Sequence, residues 1–266
     1  MKSRSLLELA SRIGYVARGA VYLSVGAIAL LAALDKTPKA TGAVGALEAW
    51  ADWPAGRVLI LLVAWGLVAF AVWRGLQSLL DADGQGTKPK GLAVRAGQAI
   101  SGVVHAALAM SVFELADGLE DVNEEDEARE TAGQVLDLPM GEWLLLGAGA
   151  FILALGVVNI LQAFKMDVGK RLHCPGEARP WVSALGKIGS FGRGVAFVPL
   201  GWFIGRAGLE ARASEAHGMG GVLQMLERQP FGSWVLALTA LGLIAYGLFA
   251  LVEARYRRMN VPRLAS

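Results

Sequence analysis

The sequence is poor both in the residues that coat a water-soluble surface and in those that carry out chemistry. Charged side chains make up 18% of its 266 residues, against roughly 25% in an average soluble domain. One cysteine, Cys174, excludes a disulfide within the chain, and nothing points to an oxidising compartment. Of three histidines, His173 stands beside Cys174, but two adjacent ligands without a second pair make no metal site. Gly84-Gln85-Gly86 lacks the lysine and flanking strand of a phosphate loop. No serine, histidine and carboxylate fall at a shared depth along the apolar stretches. The chain is therefore not expected to be an enzyme, and neither a cofactor nor a nucleic-acid partner is implied.

Apolar residues are abundant, at 55%, and they are bunched. Residues 58–73, 96–113, 143–164 and 232–252 hold no charge, 14–34 holds only Arg18, and 195–204 lies uncharged between Arg193 and Arg206. A bilayer core about 30 Å thick needs about 20 apolar residues in a helix rising 1.5 Å per residue. The expected fold is an all-α integral membrane protein with spans at 13–34, 57–80, 96–116, 143–164, 188–208 and 233–253. The fifth span must carry Arg193 and Arg206 near its ends. A soluble bundle would need amphipathic partners to cover these stretches, and the sequence offers none. The first stretch follows Lys2, Arg4 and Arg12 without a small-residue cleavage site, which favours an uncleaved span over a signal peptide. Thirty-four glycines suit close helix approach in lipid.

Charge sets the orientation. On the expected topology, 18 of the 25 basic residues fall on the side of the two termini, including Arg74, Lys88, Lys90 and Arg95 after the second span. Basic residues in short loops stay cytoplasmic, so both termini are expected inside a bacterial plasma membrane. Acids lean the other way, densest at Glu124-Glu125-Asp126-Glu127, which is expected to be a solvated loop.

The sequence also repeats itself. GYVARGAVYLSVG at Gly14 matches GQAISGVVHAALA at Gly97 and GSFGRGVAFVPLG at Gly189. In register, Gly14, Gly97 and Gly189 coincide, as do Gly19, Gly102 and Gly194. Arg18 and Arg193 share a position with Ser101, and Tyr22 with His105 and Phe197. Each outer connection holds leucines spaced for a short surface helix and then a proline and glycine: Pro54/Gly56, Pro139/Gly141 and Pro230/Gly232. Gln77, Gln162 and Glu253 mark the inner end of each second helix. A single transmembrane domain of three tandem two-helix repeats, about 12–83, 95–167 and 187–258, follows. Each repeat has two spans, so all enter the membrane the same way up, and parallel repeats relate by an axis along the membrane normal. The expected shape is a pseudo-threefold ring of hairpins.

The phrase from Gly14 to Tyr22 and the threefold hairpin pattern resemble a bacterial membrane family catalogued as domain of unknown function 1206, over about residues 12 to 258. The middle repeat departs from the pattern at Gln98, Ser101 and His105. The resemblance implies the fold and a bacterial plasma-membrane location, and no activity.

Residues four apart share a helix face. Gly14, Arg18 and Tyr22 form a stripe, as do Gly97, Ser101 and His105, and Gly189, Arg193 and Phe197. Facing the axis, these stripes would line a solute or ion pathway with Gln77, Gln162 and Glu253 at its inner vestibule; charges at membrane depth are costly and point to function. The opposing interpretation is anchoring. Arg18 lies roughly 7 Å into its span at 1.5 Å per residue and can snorkel to headgroups, Arg193 can pair with Glu253, and the glycines serve packing. His105 is either a neutral histidine bonded to a nearby carbonyl or a proton relay, and Asn159 and Gln162 suit hydrogen bonding between helices. Two functions remain: a small-solute or ion transporter, or an accessory subunit of a larger membrane complex with a protein partner or a second copy on an exposed small-residue flank. Topology is checked with alkaline phosphatase, which is expected to be active when inserted near residue 122 and inactive when fused after Ser266.

Overall fold

A computed structural model describes residues 2–118, 124–165, 172 and 176–257, with side chains from residue 8 onward. Among the described residues the chain is 83% helical and has no strand. Six helices are long and apolar enough to cross a membrane: α1 (Lys2–Ala33), α3 (Gly56–Leu79), α4 (Pro89–Asp117), α6 (Gly141–Lys165), α7 (Arg179–Glu210) and α9 (Gly232–Tyr256). Three shorter helices lie between them: α2 (Ala43–Glu48), α5 (Glu124–Leu136) and α8 (Met219–Glu227). α4 and α7 begin well before the expected spans because Pro89 and Pro180 open them. Proline suits a first helical turn, where its missing N–H has no partner to lose. Arg193 therefore lies in the interior of α7 and not near its end.

The six long helices pack side by side in the order α4, α3, α1, α9, α7, α6. α4 and α6 stand at the two ends of this arc and, among the described residues, do not pack along one another. Glycine sets the close approaches. A methyl group on Gly19 would sit 3.0 Å from the Gly247 carbonyl oxygen, one on Gly102 3.3 Å from that of Ala71, and one on Gly194 2.7 Å from that of Gly156. Residues 71, 156 and 247 lie equally far after Pro54, Pro139 and Pro230. Between the two long helices of one sequence repeat, α1 with α3 and α7 with α9, Gly14 approaches the Phe70 backbone and Gly189 the Tyr246 backbone, leaving 2.7 Å and 2.6 Å for an added methyl. The middle pair differs. A methyl on Gly97 would lie 3.6 Å from the Phe151 ring, an ordinary contact, because α4 and α6 stand apart.

The end holding the N-terminus of α1 and the C-terminus of α9 is the basic end, and the opposite one is the capped end. Toward the capped end the bundle is filled with apolar side chains, among them Val25, Ile60, Leu67, Val112, Leu236 and Leu243. Leu47 of α2 and Leu223 of α8, both fully buried, complete this core. Burial of that kind stabilises by about 25 cal/mol per Å² of apolar surface removed from water, and it holds the short helices into the bundle's mouth.

The acidic run at 124–127 is not a solvated loop, contrary to expectation. It forms the first turn of α5 and reaches both neighbouring short helices. Glu124 accepts a hydrogen bond from the Val44 N–H at the start of α2. Glu125 accepts from the Gly218 and Gly221 N–H groups at the start of α8 (3.0 and 2.8 Å) and contacts His217 Nδ1 at 2.9 Å. Glu127 accepts from Ser111 of α4 at 2.8 Å. The first N–H groups of a helix lack intrahelical partners and carry partial positive charge, so a carboxylate satisfies them. Burial pushes the Glu124 carboxyl above the usual carboxylate range, and the N–H groups around it oppose that rise. Sequence alone missed this because the partners lie far away along the chain.

The glycine contacts give a graded test. Gly14→Ala and Gly189→Ala are expected to destabilise by about 1–3 kcal/mol, the usual cost of overpacking. Gly97→Ala is expected to be nearly neutral. Thermal unfolding in detergent reads the difference.

Candidate functional site

On the basic side of the apolar core, polar and aromatic side chains from α1, α3, α4, α7 and α9 converge. Arg18 sits one helical turn from Gly14, whose contact with Phe70 brings α1 against α3. Its side chain turns into the bundle and not to the headgroups. It is 5% exposed and pairs with Glu253 of α9 at 2.6 Å. Its guanidinium carbon lies 5.0 Å from the Tyr15 ring centre, 5.0 Å from that of Phe70 and 5.2 Å from that of Tyr246. An isolated charge here would cost about 2.5–3.5 kcal/mol or more; the carboxylate and ring faces offset that cost.

On the anchoring interpretation Glu253 can pair with Arg193 of its own hairpin, but in the structure it pairs elsewhere. It binds Arg18 and, through its other oxygen, Arg257 at 2.8 Å. Arg257 also reaches Asp83 at 3.3 Å. Asp83 accepts hydrogen bonds from Gln77 of α3 at 2.7 Å and Gln98 of α4 at 3.1 Å. One carboxylate in the connection after α3 thus ties three helices and closes the basic end with a polar network. Of the expected vestibule residues, Gln77 and Glu253 belong to it; Gln162 occupies the matching place on α6 and makes no hydrogen bond to the cluster among the described residues.

Arg193 points into the same region. It donates to the Tyr246 hydroxyl at 3.0 Å and to the Asn159 side chain of α6 at 3.5 Å. Its guanidinium carbon lies 4.4 Å from the Phe197 ring centre and 5.8 Å from that of Tyr22. Tyr22 meets Tyr246 edge-on at 4.8 Å. On the other side of Arg18, the Arg74 guanidinium lies 4.9 Å from the centre of the Phe70 ring and donates to Gln77 at 3.1 Å. The same ring carries His105 at 4.7 Å. His105 Nδ1 lies 2.7 Å from the Ser101 carbonyl oxygen. A carbonyl only accepts, so Nδ1 carries the proton and Nε2 is left available. Ser101 itself contributes its backbone here.

Arg18, Tyr22, His105 and Arg193 are therefore brought together, each on the ring of Phe70 or Tyr246. Arg74, Tyr246, Asp83 and Gln98 were missed. A signal existed: Phe70 and Tyr246 fall equally far after Pro54 and Pro230, and so do Arg74 and Asn159 after Pro54 and Pro139. Matching the second helices as closely as the first would have found them. Among the described residues no group of three metal-ligating side chains occurs; His173 and Cys174 lie outside the described residues.

Glu253 holds two arginines, so its loss should be costly. Glu253→Ala is expected to destabilise by about 3–5 kcal/mol, because it leaves buried charge unpaired. Replacing the pair, Arg18→Met with Glu253→Leu, is expected to recover most of that stability. Unfolding of the purified protein in mixed micelles reads both.

No solved structure matches the chain. It is 27% identical over 252 residues to the Uncharacterized protein YxxB of Bacillus subtilis (strain 168), covering 94% of this chain and 90% of that protein. The family model described as Domain of Unknown Function (DUF1206) matches three times, at residues 13–81, 96–166 and 188–257. Matched in three consecutive segments that together take up most of its length, this multi-pass chain belongs to the DUF1206 family.

Proposed function

We propose that the protein is a small-solute carrier of the bacterial plasma membrane, with both termini cytoplasmic, whose binding site is the arginine–aromatic cluster. The observation that carries this reading is the placement of charge. Arg18, Arg74 and Arg193 converge within the bundle, on a cluster walled by apolar packing toward the capped end and by a hydrogen-bonded network toward the basic end. A solid apolar core argues against a standing channel. A site between one thick wall and one thin polar wall suits a carrier that opens to one side at a time. The repeated glycine contacts, Gly19 on Gly247, Gly102 on Ala71 and Gly194 on Gly156, support the pseudo-threefold arrangement of repeats about 12–83, 95–167 and 187–258. No reaction is assigned to the cluster, which binds and does not catalyse.

A second reading has its own support. Gly147, Ala148, Ala150 and Ala154 of α6 form an exposed flank, and nothing lies within 4 Å of a methyl added at Gly147. Small residues allow close helix docking in lipid, which suits an accessory subunit.

Access separates the two. On a Cys174→Ser background, Ser101→Cys, on the half-exposed inner face of α4, is labelled with a membrane-impermeant thiol reagent. A carrier is expected to react from the basic side in inside-out vesicles and to lose that reactivity when the network is locked by a disulfide between Asp83→Cys and Arg257→Cys. A rigid accessory subunit gives no reaction from either side and co-purifies with a partner that Gly147→Leu displaces.

A further inference from the structure

Resting on the reading of this cluster as a solute site, we infer that the solute is an anion bearing a carboxylate or phosphate group, and that Arg74 and Arg193 hold it. Charge around the cluster is unequal. The basic groups are Arg18, Arg74, Arg193 and Arg257, and the acidic ones are Glu253 and Asp83. Glu253 is shared by Arg18 and Arg257, and Asp83 is taken by Arg257 and two glutamine amides. Neither acid forms an ion pair with Arg74 or Arg193.

What touches these two arginines is neutral, and the carboxylate of Glu253, spent on Arg18 and Arg257, reaches Arg74 only beyond ion-pair distance. Arg74 has the Phe70 ring and the Gln77 amide oxygen, with Arg18 and Arg257 close enough to repel it. Arg193 has the Tyr22, Phe197 and Tyr246 rings, the Tyr246 hydroxyl and the Asn159 amide oxygen, again with Arg18 in electrostatic reach. Among the described residues the Nε–H of each is buried without a hydrogen-bond acceptor. A guanidinium presents its donors in a planar fork that matches two oxygens of one carboxylate or phosphate. Two such forks, each with a donor unspent, are the complement of an oxyanion and repel a cation.

Position agrees with this. Arg74 stands on α3 beside α4, and Arg193 on α7 beside α6, so both lie toward the side where α4 and α6 do not pack. Both side chains are partly buried, as is His105, which packs on the same Phe70 ring as Arg74. An oxyanion can arrive there from water or on the headgroup of a lipid, and the binding chemistry is the same.

The experiment uses the full chain in nanodiscs and reads thermal stability. Inorganic phosphate and succinate are titrated in neutral phosphatidylcholine discs, with choline as the cationic control. Phosphatidylglycerol is introduced in a separate arm. Stabilisation by phosphate or succinate supports the inference with a free anion; stabilisation by phosphatidylglycerol alone supports it with a lipid headgroup. Arg74→Gln and Arg193→Gln are expected to weaken either effect at least about ten-fold, as loss of a charged hydrogen bond does. Arg74→Lys and Arg193→Lys, which keep charge and bulk, are expected to fold and retain part of it. Arg95→Gln, whose arginine binds backbone at the end of α3, is expected to change nothing. The inference is overturned if choline stabilises as well as the anions, if no anion stabilises the wild type, or if the effect survives in the glutamine variants. Anion binding without flux in liposomes sinks the carrier reading and leaves the site standing. Flux of a cation or neutral solute without anion binding does the reverse.

Discussion

The bundle depends on one contact, the ion pair between Arg18 on the first long helix and Glu253 on the last. Neither charge is tolerable alone at that depth, since an unpaired ion away from water carries a large desolvation cost. Together they join α1 to α9, which closes the chain's two ends onto each other. The rest of the basic end hangs from this pair. Glu253 passes its second oxygen to Arg257, Arg257 reaches Asp83, and Asp83 gathers Gln77 and Gln98. On its other side Arg18 rests on Tyr15, Phe70 and Tyr246, the rings that also carry Arg74, Arg193 and His105. A ring face is a weak acceptor of charge, so these rings hold the arginines in place without neutralising them.

The long helices were legible because lipid imposes a simple rule on sequence: every backbone group must be satisfied within the segment, so apolar runs of sufficient length are helices. The glycines were legible as contacts for a related reason. Gly19, Gly102 and Gly194 each follow Gly14, Gly97 and Gly189 by five residues, and each meets the backbone of a helix from another repeat. The inward turn of Arg18 and Arg193 was not legible: spacing allows either side chain to reach the headgroups, and only the packing of Gly14 on Phe70 and Gly189 on Tyr246 sets which way each helix faces. What was illegible was choice among partners. The sequence offered Glu253 only Arg193 of its own repeat, and packing between α1 and α9 gave it Arg18 instead. The acidic run was misjudged because four adjacent acids look the same in water as they do against two helix starts; only the fold brings Gly42 and Gly218 to them.

The middle pair, α4 and α6, departs from its neighbours in chemistry and in packing together. Where the other first helices carry arginine it has Ser101, and where the other second helices carry Phe70 and Tyr246 it has Leu155. It lacks the cation and the ring that bind each other elsewhere. It also lacks the close glycine approach, and the Phe151 side chain reaches across to Gly97 instead. With little to draw them together, the two helices stay apart and leave the cluster half-exposed on that side. The asymmetry of the site and the looseness of this pair have one origin.

The capping of two helices by consecutive glutamates has a mechanical meaning. Glu124 grips α2 and Glu125 grips α8, one peptide unit apart on the rigid first turn of α5. Neither of the gripped helices can swing outward by itself without stripping a half-buried carboxylate from its donors. The three lids of the far mouth are thus yoked, and that mouth lifts as one piece or stays shut.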